Sequence, residues 1–291
     1  MTFQWITEPF QFSFMTRAFI GTSLIAILAA IVGVFIVLKG LAFIGDAIAH
    51  TSFTGLAAAL LFGWPLHLGA LVLAFGTAVG ITILNRTAKV RHDTALAILF
   101  TGVFAVGILI MARMPNFAGD LSSLLLGSVL AVRMQELYLI AATALVVAGL
   151  VWLVFHHLVF AVFDPVGAEA AGLPVVGLHL LLMLMLSAAV VVSIQAVGVI
   201  LVMALLITPA AAAGIFTKNI VKMMLAAGVL GLAAAWIGLY IAFYFSLPPG
   251  AVIVIITTGE FALALVMKRL IVKFSRMRHG DSLKEGFSSE T

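Results

Sequence analysis

No cysteine occurs among these 291 residues, charged side chains make up only 9%, and no G-x-x-x-x-G-K-[ST] phosphate-binding loop is present. The first absence excludes disulfides, cysteine-ligated zinc and iron–sulfur clusters. The third means that the chain does not draw on ATP by itself. The scarcity of charge is the most informative. A soluble domain carries about a quarter charged residues, whereas this chain is 64% hydrophobic with a mean hydropathy of +1.30. Surface-to-volume scaling leaves no way to bury that much apolar surface in water, but a lipid bilayer removes the problem. The net charge of +4 comes from basic residues at the ends of apolar runs rather than from one patch, so no nucleic-acid partner is expected. The opening stretch MTFQWITEPFQFSF carries acidic and aromatic residues instead of a basic segment and apolar core, and is not read as a cleavable signal.

What is present is a series of apolar runs, each near the roughly 20 residues that span a bilayer as helix. They predict spans at 16–38, 40–62, 66–85, 93–112, 135–160, 175–194, 196–214, 221–245 and 249–272. The expected fold is an all-α integral membrane protein, a polytopic bundle of eight or nine transmembrane helices. The count hinges on the run 175–215, broken only around Gln195 and Gly198. The segment 119–132 is apolar but too short to cross, and is expected to lie buried against protein. Residues 1–274 form one transmembrane domain, and the polar stretch 275–291 is expected to be a disordered cytoplasmic tail. With nine spans, Lys39, Arg86, Lys89, Arg91, Lys218, Lys222 and the six basic residues from Lys268 to Lys284 fall on one side. Arg17, Arg113 and Arg133 fall on the other. The excess of lysine and arginine marks the cytoplasmic side, so the C-terminus is expected in the cytoplasm and the N-terminus outside. Glycines at 21, 33, 55, 69, 76, 80, 228 and 231 lie within spans, as close helix packing in lipid favours.

Ionisable residues within spans are costly and default to functional candidates. Asp46 and His50 lie four apart in GLAFIGDAIAHTSFTG, on one face of a helix. A carboxylate and an imidazole converging on one ion suit Mn2+, Fe2+ or Zn2+ rather than an alkali ion or Cu(I). The plainer alternative is a hydrogen bond between the two, or to a neighbouring helix. Glu260 is the other mid-span acid, a second ligand or a packing residue near Thr257 and Thr258. His67, at a span's end, is a further ion-receiving candidate or a solvated interfacial group. His179 sits among leucines and reads as a packing residue. His156 and His157 are adjacent, about 100° apart on a helix, and read as interfacial. Asp93 is placed to cap the helix that follows His92. The stretch DPVGAEAAGLP predicts a short Ala-rich helix capped by Asp164 and closed by Gly172, between Pro165 and Pro174, suited to docking in a partner's groove. An ordinary connecting loop is the alternative there. Gly45-Asp46 is also an intramembrane aspartyl-protease feature, but that chemistry needs a second aspartate, and no other mid-span Asp exists.

Taken in order, GLAFIGDAIAHTSFTG, RHDTALAILFTGVFAVGILI, DLSSLLLGSVLAV, FDPVGAEAAGLP, QAVGVILVMALLITPAAAA and PPGAVIVIITTGEFAL resemble the permease subunits of bacterial ABC importers for zinc, manganese and iron, the ABC-3 type. The resemblance covers residues 16–272, with the G-D-x-x-x-H and F-D-P…G-L-P elements the most specific. It implies a type II ABC importer-like bundle in the bacterial inner membrane, working as a homodimer. Two cytoplasmic ATPase subunits and an extracytoplasmic metal-binding protein complete the assembly. Asp46 and His50 would contact the transported ion, and no permanently bound cofactor is implied. The segment with Asp164, Pro165, Glu169, Gly172 and Pro174 would couple to the ATPase. Thr51-Ser52-Phe53-Thr54 departs from the small-residue and proline stretch of many manganese-type members, which leaves the metal open. A secondary transporter or channel for divalent cations is the competing reading.

Overall fold

A computed structural model describes residues 7–87, 92–113 and 127–288, with side chains apart from those of 85–93 and 274–288. Every regular element described is helical. A 3-10 turn at Glu8–Gln11 leads into α1 (Ser13–Leu38), α2 (Ala42–Phe62), α3 (Leu66–Thr87) and α4 (His92–Ala112). A second 3-10 turn at Val129–Ala131 precedes α5 (Met134–Phe163). The short α6 (Pro165–Ala170) follows, then α7 (Val175–Val197), α8 (Val199–Phe216), α9 (Ile220–Phe245) and α10 (Pro249–Ser288). Among the described residues, nine helices (all but α6) are long and apolar enough to cross a membrane. At 1.5 Å per residue, even an 18-residue helix covers about 27 Å of a hydrocarbon core near 30 Å.

Punctuation in the sequence sets the helix ends. Gly40 (φ 67°) closes α1 and Gly63 (φ 68°) closes α2, both in the left-handed region that lacks a steric penalty only for glycine. Asn219 caps α9 by accepting from the Lys222 backbone N–H at 3.1 Å. Glu136 caps the start of α5, its Oε2 accepting from the Arg133 backbone N–H at 3.0 Å. The run 175–215 resolves into two helices, each apolar enough to span, parted by Gly198 alone (φ 87°, ψ 163°). Gly127 packs its backbone against Gly198, and a Cβ at 127 would collide with it. Val129 and Val132 are buried, so this part of the 119–132 segment does lie against protein; residues 119–126 lie outside the described ones. The last helix runs on to Ser288, through the stretch expected as a disordered tail. No proline follows Pro249 to stop it.

Two helix groups meet along α1 and α7. Helix α2 packs on α3 and α4, while α1 packs on α8 and α9, and α10 closes over α8 and α9. Helix α7 joins the groups by packing on α3, α5, α1 and α2. With no hydrophobic drive between helices in lipid, close backbone approach does much of the joining. Gly55 of α2 meets the carbonyl of Gly69 in α3, and Gly33 of α1 meets that of Leu206 in α8; neither site has room for a Cβ. Cross-links fix the alternation of the spans. Lys39, after α1, reaches His179 in the first turns of α7. At the other end, the Tyr244 hydroxyl of α9 donates to Glu8 Oε2 at 3.0 Å.

Candidate functional site

Helix α2 begins at Ala42, so Asp46 and His50 fall one turn apart in its first half. His50 Nε2 lies 3.5 Å from Asp46 Oδ1. That separation suits a shared ion. Two ligand atoms each about 2.1 Å from a metal, at a tetrahedral angle, stand about 3.4 Å apart. The sequence spacing therefore delivers the convergence expected of it, and also the plainer hydrogen-bond-like pairing.

Helix α4 supplies the rest of the wall. Phe100 and Phe104 meet the His50 ring edge-on, with centroids 5.0 and 5.2 Å away. His50 Nδ1 is buried between these groups with no hydrogen-bond partner. Metal-ligating histidines usually donate their second ring N–H to an acceptor that fixes the tautomer and raises basicity. His50 has no such support, which makes it a weak ligand. Asp46 faces an open pocket of about 800 Å³, counting the space at its mouth, lined by Phe43, Asp46, Ala47, Leu96, Ala97 and Phe100. The Asp46 side chain is 47% exposed on the flank of the bundle. A half-exposed carboxylate within a span cannot rest against lipid tails.

The other sequence candidates lie elsewhere. Glu260 is on α10, which packs chiefly on α8 and α9; one of its oxygens is buried without a partner. His67 is exposed in the first turn of α3. Among the described residues, no group of three or more His, Cys, Asp or Glu is placed to hold a metal. His156 and His157 are exposed on α5. His92 and Asp93 open α4, but their side chains are among those not described. His179 reads from the sequence as a packing residue, yet its Nδ1 lies 3.1 Å from Lys39 Nζ. The two are 140 positions apart, a distance that no local pattern reports.

The second sequence-marked element forms as a helix. Asp164 Oδ1 accepts from the Gly167 backbone N–H at 2.8 Å and caps α6, with Pro165 at its first position. The left-handed Gly172 (φ 82°) closes it. Ala168 is fully buried on the inner face of α6, while Val166 is 78% exposed; Pro165, Glu169 and Pro174 are exposed as well. The result is a small helix with a smooth outward face at the end of the bundle that holds Lys39.

Similarity to known proteins follows the same extent. The model of the ABC 3 transport family matches residues 11–268. The manganese transport system membrane protein MntC of Listeria monocytogenes is 38% identical over 256 residues, 88% of this chain and 91% of that protein. The chelated iron transport system membrane protein YfeD of Yersinia pestis is 35% identical, over 93% of this chain and 91% of that one. The solved structure of PsaBC from Streptococcus pneumoniae in complex with Fab superposes with a TM-score of 0.80 at 31% identity, covering 91% of this chain and 95% of that chain. With nine apolar helices among its described residues and a family match across nearly its whole length, this multi-pass membrane protein belongs to the ABC 3 transport family.

Proposed function

We propose that this chain is the membrane-spanning permease of an ATP-driven importer of divalent transition-metal ions, with Asp46 and His50 lining the path. The observation that carries the reading is the geometry of that pair: an oxygen and a nitrogen ligand 3.5 Å apart, opening from the bundle flank into a pocket. Oxygen plus imidazole suits Mn2+ and Fe2+, and Zn2+ fits the same donors; the named relatives are called manganese and chelated iron transport proteins. Two ligands are too few to hold an ion tightly. A second copy of the chain, packed over the α2–α4 flank, brings the number to four and covers the exposed carboxylate. The pathway then runs between two identical subunits.

Energy comes from elsewhere, since the sequence has no phosphate-binding loop. The exposed face of α6, framed by Asp164, Pro165, Glu169, Gly172 and Pro174, fits a groove on a cytoplasmic ATPase subunit. Lysines and arginines cluster at that end of the bundle, which supports a cytoplasmic C-terminus and a place in a bacterial inner membrane. An extracytoplasmic metal-binding protein delivers the ion to the opposite face.

The test is ion-by-ion accumulation of manganese, iron and zinc in cells expressing this chain with and without its cognate ATPase. Uptake that needs the ATPase and vanishes in Asp46→Asn supports the reading. Uptake that proceeds without the ATPase, driven by the ion or proton gradient alone, overturns it in favour of a secondary transporter.

A further inference from the structure

At the end of the bundle that carries α6, the corner between α1 and α2 is held in an unusual way. Lys39 caps α1, its N–H donating to the Phe35 carbonyl. Gly40 follows in the left-handed region, with nothing near its Cα face, and α2 starts two residues later with Asp46 in its second turn. The Gly40 and Leu41 N–H groups donate back to the Val37 and Ile36 carbonyls, which fixes the turn on α1, and a polar tether from Lys39 Nζ to His179 Nδ1 at 3.1 Å holds it to α7. An ammonium has donors only, so Nδ1 accepts and the His179 proton sits on Nε2. Partial burial pushes the Lys39 ammonium below the usual lysine range, which makes a fixed acceptor matter more. His179 lies in the first turns of α7, just past the Gly172–Pro174 link from α6. From the other side, α8 presses on the same two helices. The Leu206 carbonyl fills the space at Gly33, and the Met203 Cε would lie 2.8 Å from a Cβ at Gly45, one residue before Asp46.

We infer that the Lys39–His179 contact is a positioning link that ties the α1–α2 corner, and with it Asp46, to the root of α7, so that displacement entering at α6 reaches the ion-binding pair. Lys39 and His179 touch no ion; they act through the placement of α2. The inference rests on the reading of α6 as the ATPase-docking helix. Without the link, the corner follows α7 through side-chain packing alone, and ATP hydrolysis moves Asp46 out of step.

The assembled transporter in liposomes, with Mn2+ uptake and ATP hydrolysis recorded together, tests this. Lys39→Met keeps the side-chain length and loses the donor; Mn2+ moved per ATP should fall about tenfold, as befits loss of a charge-assisted hydrogen bond, with the ATPase still bound and active. His179→Leu should fall equally, and the double variant no further, because each single change already removes the link. His179→Asn, whose Oδ1 stands where Nδ1 stood, should keep the parental ratio. An unchanged ratio in Lys39→Met, additive losses in the double variant, failure of His179→Asn, or detachment of the ATPase would each overturn the link. If Lys39→Met does not assemble, the contrast of His179→Leu with His179→Asn decides the same question. Asp46→Ala separates this from the underlying function. Normal uptake in that variant removes Asp46 from the ion path, whereas its loss beside normal Lys39 and His179 variants overturns the link alone.

Discussion

Helices α2 and α10 each carry one acidic residue within an apolar span, and the two acids end in different company. Asp46 has an imidazole nitrogen 3.5 Å away and a pocket before it. Glu260 sits on an inner face with Thr257 and Ala264, and one of its oxygens is buried with no partner. A lone polar atom in an apolar wall is a local cost. A matched pair with an opening is a place where an ion can stop. The partner and the opening separate the two acids, since both lie within apolar spans and both are carboxylates.

The largest expected effect sharpens that contrast. Asp46→Ala or His50→Ala should cut metal uptake at least about a hundredfold, because even the outer partners of metal ligands are worth 10- to 100-fold. Membrane insertion should be normal, since neither side chain fills the core. Glu260→Gln, which keeps the shape and removes the charge, should transport at the parental level. Radiolabelled or fluorescent uptake in cells with matched expression decides, and loss of transport in Glu260→Gln would place α10 in the pathway after all.

Next in size is the outward face of α6. Val166→Glu sets a charge where an apolar side chain is most exposed. Burying an aliphatic side chain is worth about 1.5–3 kcal/mol, so ATPase retention in detergent should weaken roughly 10- to 100-fold. Val166 is a cleaner probe than Gly172, whose left-handed backbone (φ 82°) would strain under any side chain and confuse folding with docking. Full retention of the ATPase by Val166→Glu would reduce α6 to a connecting turn.

A smaller effect tests how the α2 group is held. Gly55→Ala drives a methyl into the Gly69 carbonyl, and overpacking of this kind costs about 1–3 kcal/mol. Gly76→Ala meets nothing within 4 Å and should be neutral or slightly stabilising, by up to about 1 kcal/mol of helix propensity. Thermal unfolding in detergent compares them. Equal melting points would mean that α2 and α3 are not joined through their glycines.

The spans were legible in the sequence because each is a run of about 20 apolar residues closed by glycine, proline or a basic residue. Asp46 and His50 were legible because a helix converts a spacing of four into contact. What lay hidden comes from long-range pairing. Nothing local says that Phe100 and Phe104 will flank His50. His179 looks like one more packing residue among leucines until the fold brings Lys39 to it. The run 175–215 pointed to its own break near Gly198, but only the structure shows that the break is one residue wide and that Gly127 sits against it. At the opposite end, Phe10 stacks on Phe19 of α1 with centroids 4.8 Å apart and meets Tyr240 of α9 edge-on at 6.4 Å. That docking of the N-terminal segment against α1 and α9 left no periodic trace.

The smallest expected effect is a shift of nothing at all. Structural zinc sites close a tetrahedral shell, and their binding energy is folding energy. Helix α2 offers one oxygen and one nitrogen ligand, and the second nitrogen of His50 has no orienting partner. The helices around the pair are fastened by other means: by α2–α3 backbone contact at Gly55 and Gly69, and by Thr54 of α2 donating to the Val103 carbonyl of α4 at 2.8 Å. An ion that must leave as readily as it enters has to be held loosely. Stripping the purified permease with a mild chelator should therefore remove the metal and leave both the melting temperature and the oligomeric state where they were. Metal retained through chelation, or a melting point that falls as the ion leaves, would make Asp46 and His50 a structural clasp, and the contrast with Glu260 would no longer be one of transport.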